Sequence, residues 1–296
     1  MDCYKLKLLD MKKVWLVITG ITLLVATACK KESGNSGNGA TVLLDVAYGT
    51  DAKQRLDVHL PANRSTTTTP VVFMIHGGAW TSGDKADFAA VVDSLKARMP
   101  DYAIVNTNYR LATLTGTNLW PTQINDINSA YQFVTSEANN YQINVSKTAF
   151  LGASAGAHLA MLKAYTANAN RNIKCVVNLF GPTNMIDLFN NPPDPTYPQL
   201  LTIFMSGSPS SNLMAYTNAS PLFFANATSA VPTAIFHGTA DNVVPIRQSD
   251  SLFRRLQIAG VQSSFTVYQG AGHGWSGANM TDTYNKSIFF MRSNLQ

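Results

Sequence analysis

Residues 148–167 read TAFLGASAGAHLAMLKAYTA, and the middle of this stretch decides the fold. Thr148-Ala149-Phe150-Leu151 is a short apolar run suited to a buried strand, and a helical pattern opens at Ala155. Between them, Gly152-Ala153-Ser154-Ala155-Gly156 has the G-x-S-x-G spacing of a tight strand-to-helix turn that exposes a serine hydroxyl. Side chains on either flank of that serine would collide with neighbouring backbone, and the serine itself is held in a strained conformation. Ser154 is therefore the candidate nucleophile.

Working outward, His76-Gly77-Gly78-Ala79-Trp80 ends an apolar run at 71–75. Loops of this kind lend backbone N–H groups to a developing oxyanion, because small residues let the main chain approach it. The N–H groups of Gly78 and Ala79, with that of Ala155, are the candidate oxyanion hole. His76 itself reads as a turn histidine, since such a loop works through its backbone. Downstream, His237-Gly238-Thr239-Ala240-Asp241 and Gly270-Ala271-Gly272-His273-Gly274-Trp275 follow two later strand patterns. Serine, acid and histidine thus occur in the order that this strand–turn–helix context requires, each after a different strand. A serine hydroxyl needs a positioned base, so His273 is the candidate base and Asp241 the acid that orients it. Asp250 falls inside a helix pattern and Asp187 lies several residues beyond its strand. Of the other histidines, His158, four residues after Ser154 on the same helix pattern, reads as packing against the sheet, His237 shapes a turn, and His59 lies on an early strand.

Short β-type runs at 41–46, 55–60, 71–76, 102–107, 148–151, 173–179, 233–237 and 264–268 alternate, from the third onward, with helical patterns at 87–98, 123–137, 155–167, 249–259 and 281–293. This predicts an α/β domain over 40–296, with a mostly parallel eight-stranded sheet covered on both faces. Residues 181–231 break the pattern with Pro192, Pro193, Pro195, Pro198, Pro209 and Pro221. They read as a small insertion after the sixth strand, either a long structural loop or a cap over the site.

The 296 residues are 46% hydrophobic and 13% charged, which suits a large packed domain and excludes a disordered chain. Lys12-Lys13 precedes an apolar run at 14–28 that is too short for a membrane-spanning helix and reads as an export signal over 1–28. Ala26-Thr27-Ala28-Cys29 resembles a bacterial lipobox, which makes Cys29 a lipidation candidate. Residues 29–39, with their Gly/Asn/Ser run, are then the anchor and flexible tether. A plain signal peptide is the alternative. Removal of 1–28 takes away four basic and two acidic residues and lowers the net charge from +5 to +3. No Lys/Arg cluster with interleaved aromatics marks a nucleic-acid binder. Cys175 is the one cysteine of the body and reads as a buried small hydrophobe.

Taken together, Tyr48-Gly49, Leu56-Asp57-Val58, Leu60-Pro61, the His76 loop, Gly83-Asp84-Lys85, Asn108-Tyr109-Arg110-Leu111, Pro121, Asp126, the Ser154 elbow, Ala219-Ser220-Pro221 and the Asp241 and His273 loops run in a family order. From Ala40 onward the chain resembles the bacterial feruloyl-esterase-like branch of α/β-hydrolases, related to hormone-sensitive-lipase-type carboxylesterases. Ala79 departs from the third glycine of many lipase-like relatives but keeps its N–H. The resemblance implies an α/β-hydrolase fold and a serine esterase for short-chain or aromatic acyl esters, such as acetyl or feruloyl groups of plant polysaccharide. It implies no metal or organic cofactor. A serine peptidase of the same fold and a non-catalytic surface binding protein are the alternatives. Trp80 and Trp275 are the candidate substrate-binding residues, placed to crowd the acyl side. Membrane contact is expected only through the lipid anchor, at the bacterial outer membrane.

Overall fold

In the computed structural model, which describes residues 39–296, one sheet organises the chain. The export signal 1–28 and Cys29 lie outside the described residues. Strands β1 (Thr41–Ala47), β2 (Arg55–Leu60), β3 (Val71–Ile75), β4 (Ala103–Thr107), β5 (Thr148–Ala153), β6 (Ile173–Leu179), β7 (Thr233–Gly238) and β8 (Ser263–Tyr268) lie in the order β1-β2-β4-β3-β5-β6-β7-β8. β1, β2 and β4 pair antiparallel, and every pair from β3 with β4 onward is parallel. Burial follows position. β3 and β4 are buried throughout because helices cover both their faces, whereas β2 alternates and the edge strand β1 leaves Val42 and Leu44 exposed.

The helices are α1 (Ala89–Arg98), α2 (Thr122–Ser136), α3 (Ala138–Tyr141), α4 (Ala155–Thr166), α5 (Met185–Asn190), α6 (Tyr197–Phe204), α7 (Leu213–Asn218), α8 (Arg247–Ile258) and α9 (Gly277–Asn294). Strand alternation divides the core. Phe73, Ile75, Phe150 and Val176 face α2, α4 and α8, while Val72, Met74, Leu151 and Val177 face α1 and α9. Cys175 is buried on the second face, where burial pushes its thiol up to about 12. The helix expected at 87–98 begins as a 3₁₀ turn, Lys85–Phe88, capped by Asp84, and the last helix starts a turn earlier than expected.

The weakly periodic stretch 181–231 folds into α5, α6, α7 and a 3₁₀ turn, Pro221–Phe224. Its prolines looked like breakers, yet Pro198 and Pro221 sit in first turns, where the missing N–H has no partner to lose. Buried polar bonds fix the insertion to the body. Thr183 donates its N–H to Gln248 Oε1 at 2.9 Å and its hydroxyl to the Gln248 carbonyl at 2.7 Å. Within the insertion, Met185 N–H donates to Ser220 Oγ at 2.9 Å and ties its two ends together.

Candidate active site

Ser154 stands at the tip of the turn between β5 and α4 with φ 53° and ψ −122°, a region that side chains seldom occupy. Its N–H donates to the Leu179 carbonyl at 2.9 Å, which ties the turn to β6. The flanking glycines are steric necessities. A Cβ on Gly152 would overlap the backbone of Gly156, and one on Gly156 would overlap the carbonyl of Ile75.

The loops after β7 and β8 bring the two partners to the serine. His273 Nε2 lies 2.9 Å from Ser154 Oγ, and His273 Nδ1 lies 2.8 Å from Asp241 Oδ2. Because a carboxylate only accepts, Nδ1 carries the proton and neutral Nε2 is left to accept from the hydroxyl. The Asp241 side chain is fully buried, with Oδ1 accepting from the N–H groups of Val243 at 2.8 Å and Val244 at 2.9 Å. His237 Nε2 also approaches Oδ2, at 3.1 Å. Burial by itself would raise the Asp241 carboxyl, but the hydrogen bonds from His237 and His273 outweigh it and hold the acid far below the ordinary range. The contact from His237 is a feature the sequence reading did not reach. Gly238 lets the two loops meet, since a Cβ there would overlap the carbonyl of Ala271.

Residues 76–80 form the opposite wall. Gly78, Ala79 and Trp80 all have positive φ, at 109°, 49° and 63°, so the chain turns sharply where it borders the cleft. Among the described residues, none accepts a hydrogen bond from the N–H of Gly78, Ala79 or Ala155. The loop is held from behind. Tyr109 Oη donates to the carbonyls of His76 and Gly77 at 3.2 and 3.3 Å, and the Tyr109 ring stacks on His76 at 4.4 Å. Trp80 Nε1 donates to His158 Nδ1 at 3.2 Å, and His158 Nε2 donates to the Ala219 carbonyl at 2.6 Å. His158 is 0% exposed and is held down to about 4 by burial, which keeps the ring neutral in this donor–acceptor chain.

Ser154, His273, Gly78, Ala79 and Ala155 border one cleft of ≈340 Å³, which Phe180, Pro182, Leu188, Tyr197 and Val244 also line. Tyr197 comes from the insertion. Burial, then the nearby Asp241 charge, pushes its phenol up to about 12, so it stays a neutral hydroxyl. Such an arrangement can accept a serine proton and stabilise negative charge on an adjacent oxygen. The two tryptophans fall differently from expectation. Trp80 borders the cleft but is only 2% exposed and stacked on Phe204 at 4.9 Å, so its ring serves packing. Trp275 lies outside the cleft, behind Phe180, with its Nε1 donating to Thr283 Oγ1 at 2.8 Å. The sequence could not place it because the loop after His273 turns toward α9.

A mostly parallel sheet of this order, with a serine elbow after β5, an acid after β7 and a histidine after β8, defines an α/β-hydrolase. The BD-FAE family model matches residues 56–256, more than half of the chain, and the chain belongs to that family. The sequence is 29% identical to a probable carboxylic ester hydrolase, LipM, of Mycobacterium tuberculosis, over 72% of this chain and 51% of that protein. The chain spans about half the length of the curated relatives it matches. Among solved structures, a truncated carbohydrate esterase from gut microbiota is 25% identical with a TM-score of 0.74, covering 88% of this chain and 98% of that one. A bifunctional GH43-CE protein of Bacteroides eggerthii is also 25% identical with a TM-score of 0.74, over 86% of this chain and 38% of that one.

Proposed function

We propose that this chain is a serine carboxylic ester hydrolase that acts through an acyl-Ser154 intermediate on short-chain or aromatic acyl esters, with acetyl or feruloyl esters of polysaccharide as the leading substrates. The observation that carries the reading is the unbroken chain Ser154 Oγ, His273, Asp241 facing three backbone N–H groups without other partners. In this mechanism His273 Nε2 takes the hydroxyl proton as Ser154 Oγ attacks the ester carbonyl. The N–H groups of Gly78, Ala79 and Ala155 receive the oxyanion, and protonated His273 returns its proton to the leaving alkoxide. Water, deprotonated by the same nitrogen, then releases the acid. The carbohydrate esterase neighbours support a sugar-linked alcohol half.

Leu188, Val244 and Phe180 line the cleft of ≈340 Å³, and small acyl groups are its expected guests. On this reading kcat/KM for a series of acetyl, butyryl and octanoyl esters peaks by butyryl, although an open channel would gain about 0.8 kcal/mol per CH₂ buried. Ser154→Ala should lower kcat at least about 10³-fold and abolish labelling by a fluorophosphonate. A folded Ser154→Ala protein with wild-type turnover refutes the proposal. We also propose export by residues 1–28 and acylation at Cys29, with attachment to the outer membrane. Cys29→Ala should then move the protein from the membrane fraction to the soluble one.

A further inference from the structure

Few of the side chains around the ester cleft can form hydrogen bonds. Phe180, Pro182, Leu188, Val243 and Val244 are apolar, and the glycines and alanines of the elbow and the oxyanion loop offer only backbone groups. Apart from Ser154 and His273, three polar side chains among the described residues line the cleft: Trp80, Ser82 and Tyr197. Two of them are already committed. Trp80 Nε1 donates to His158 Nδ1, and Ser82 Oγ donates to the Gly78 carbonyl at 3.0 Å.

Tyr197 is free. Among the described residues none bonds to its Oη, and that atom is not enclosed, so a substrate atom can reach it. The residue is half-buried, with its ring packed against the core, and its backbone is braced at the start of α6. Its N–H donates to the Asp194 carbonyl at 3.1 Å, and Asp194 Oδ1 accepts from the N–H of Thr196 at 2.8 Å. A mostly apolar cleft with one uncommitted, anchored hydroxyl is built to choose among substrates by a single hydrogen bond. The phenol stays protonated and can donate. The nearby charges of Asp241 and Asp194 disfavour an anionic group beside it, which leaves a neutral oxygen as its partner.

Resting on the ester-hydrolase reading, we propose that Tyr197 is a specificity-determining residue whose Oη donates to a neutral hydroxyl on the alcohol half of the ester, next to the scissile oxygen. An acetyl group has only its carbonyl oxygen, which the backbone N–H groups take, so the hydroxyl comes from the alcohol. Esters of polyols that keep a free hydroxyl beside the acylated one are then preferred over esters of simple alcohols.

The full chain is assayed on cyclohexyl acetate, trans-2-hydroxycyclohexyl acetate and cyclohexyl hydroxyacetate, which carry a hydroxyl on neither half, on the alcohol and on the acyl group. Tyr197→Phe keeps the ring and removes the donor, and Tyr197→Leu takes its place if that protein does not fold. The ratio of kcat/KM for trans-2-hydroxycyclohexyl acetate to that for cyclohexyl acetate should fall about fivefold in the variant, the worth of one net hydrogen bond. The intrinsic reactivities of the two esters cancel, because wild type and variant meet the same pair. An unchanged ratio, or a fall that is as large for cyclohexyl hydroxyacetate, overturns the role of Tyr197 while leaving the ester-hydrolase reading in place. If wild type hydrolyses none of the three esters, the ester-hydrolase reading itself fails, and the role of Tyr197 with it.

Discussion

Replacing Asp241 with asparagine keeps its shape and removes its charge, and the four contacts around it fix the outcome. Oδ1 faces two backbone N–H donors, from Val243 and Val244, and Oδ2 faces His273 Nδ1 and His237 Nε2. An amide keeps only one acceptor. If its oxygen faced the histidines, its NH₂ would abut two backbone N–H groups, and each unsatisfied donor costs about 1–3 kcal/mol. The oxygen therefore stays with the backbone and the NH₂ points at His273. To accept from it, Nδ1 must give up its proton, which moves to Nε2 and aims a donor at Ser154 Oγ. The base is then lost, with a fall in kcat on the order of 10⁴, about 5.5 kcal/mol in the barrier. The assay is kcat and KM on a short acyl ester, with thermal unfolding as the control for fold. Asp250→Asn is the comparison, because Asp250 only pairs with Arg254 on the surface of α8. A folded Asp241→Asn enzyme within tenfold of wild type would refute the orientation argument.

Gly238→Ala should push the acid and histidine loops apart, because its Cβ would overlap the Ala271 carbonyl; kcat should fall by about 10² or more, from a misplacement of about 1 Å. Steady-state kinetics that match wild type would contradict this. Gly156→Ala should destabilise the fold by about 1–3 kcal/mol through overlap with Ile75, seen as a lower midpoint in urea unfolding. Stability should also fall as pH drops from 6.5 toward 4. The unfolded chain protonates His158 at its ordinary value while the folded chain resists until about 4, so unfolding takes up a proton in that window, worth up to about 3 kcal/mol. His59 and His76, also held low by burial, act in the same direction. Urea midpoints at pH 7 and pH 4.5 measure the loss, and His158→Gln should reduce it; an equal loss in that variant would place the acid sensitivity elsewhere.

Much of the molecule was legible in the sequence because its constraints are local. The turn around Ser154 requires small residues by steric contact alone, and the central strands announce double burial by unbroken apolar runs. The insertion was not legible. α5 and α7 have six residues each and α6 has eight, too short for a periodic signal, and the prolines that punctuate them mark starts as well as breaks. The position of Trp275 depends on the path between β8 and α9, which no spacing in the sequence encodes. Tyr197 and Phe180 reach the cleft only because an insertion folds back over β6 and one aromatic residue adopts φ 45° at that strand's end. His237 was recognisable as a turn residue, but its approach to Asp241 follows from a four-residue return of the chain.

His158 joins three separate parts of the chain: the helix behind Ser154, the loop that carries Gly78 and Ala79, and the insertion at Ala219. Replacing the insertion with another segment would change what lines the cleft, and this imidazole sets a condition on such a graft. A grafted segment must return a carbonyl to the place of Ala219, or the histidine loses its acceptor and Trp80 loses a fixed partner. The interchangeable unit is therefore larger than residues 181–231, and a transplant that carried Trp80 and His158 with it should keep the reaction while changing what is admitted.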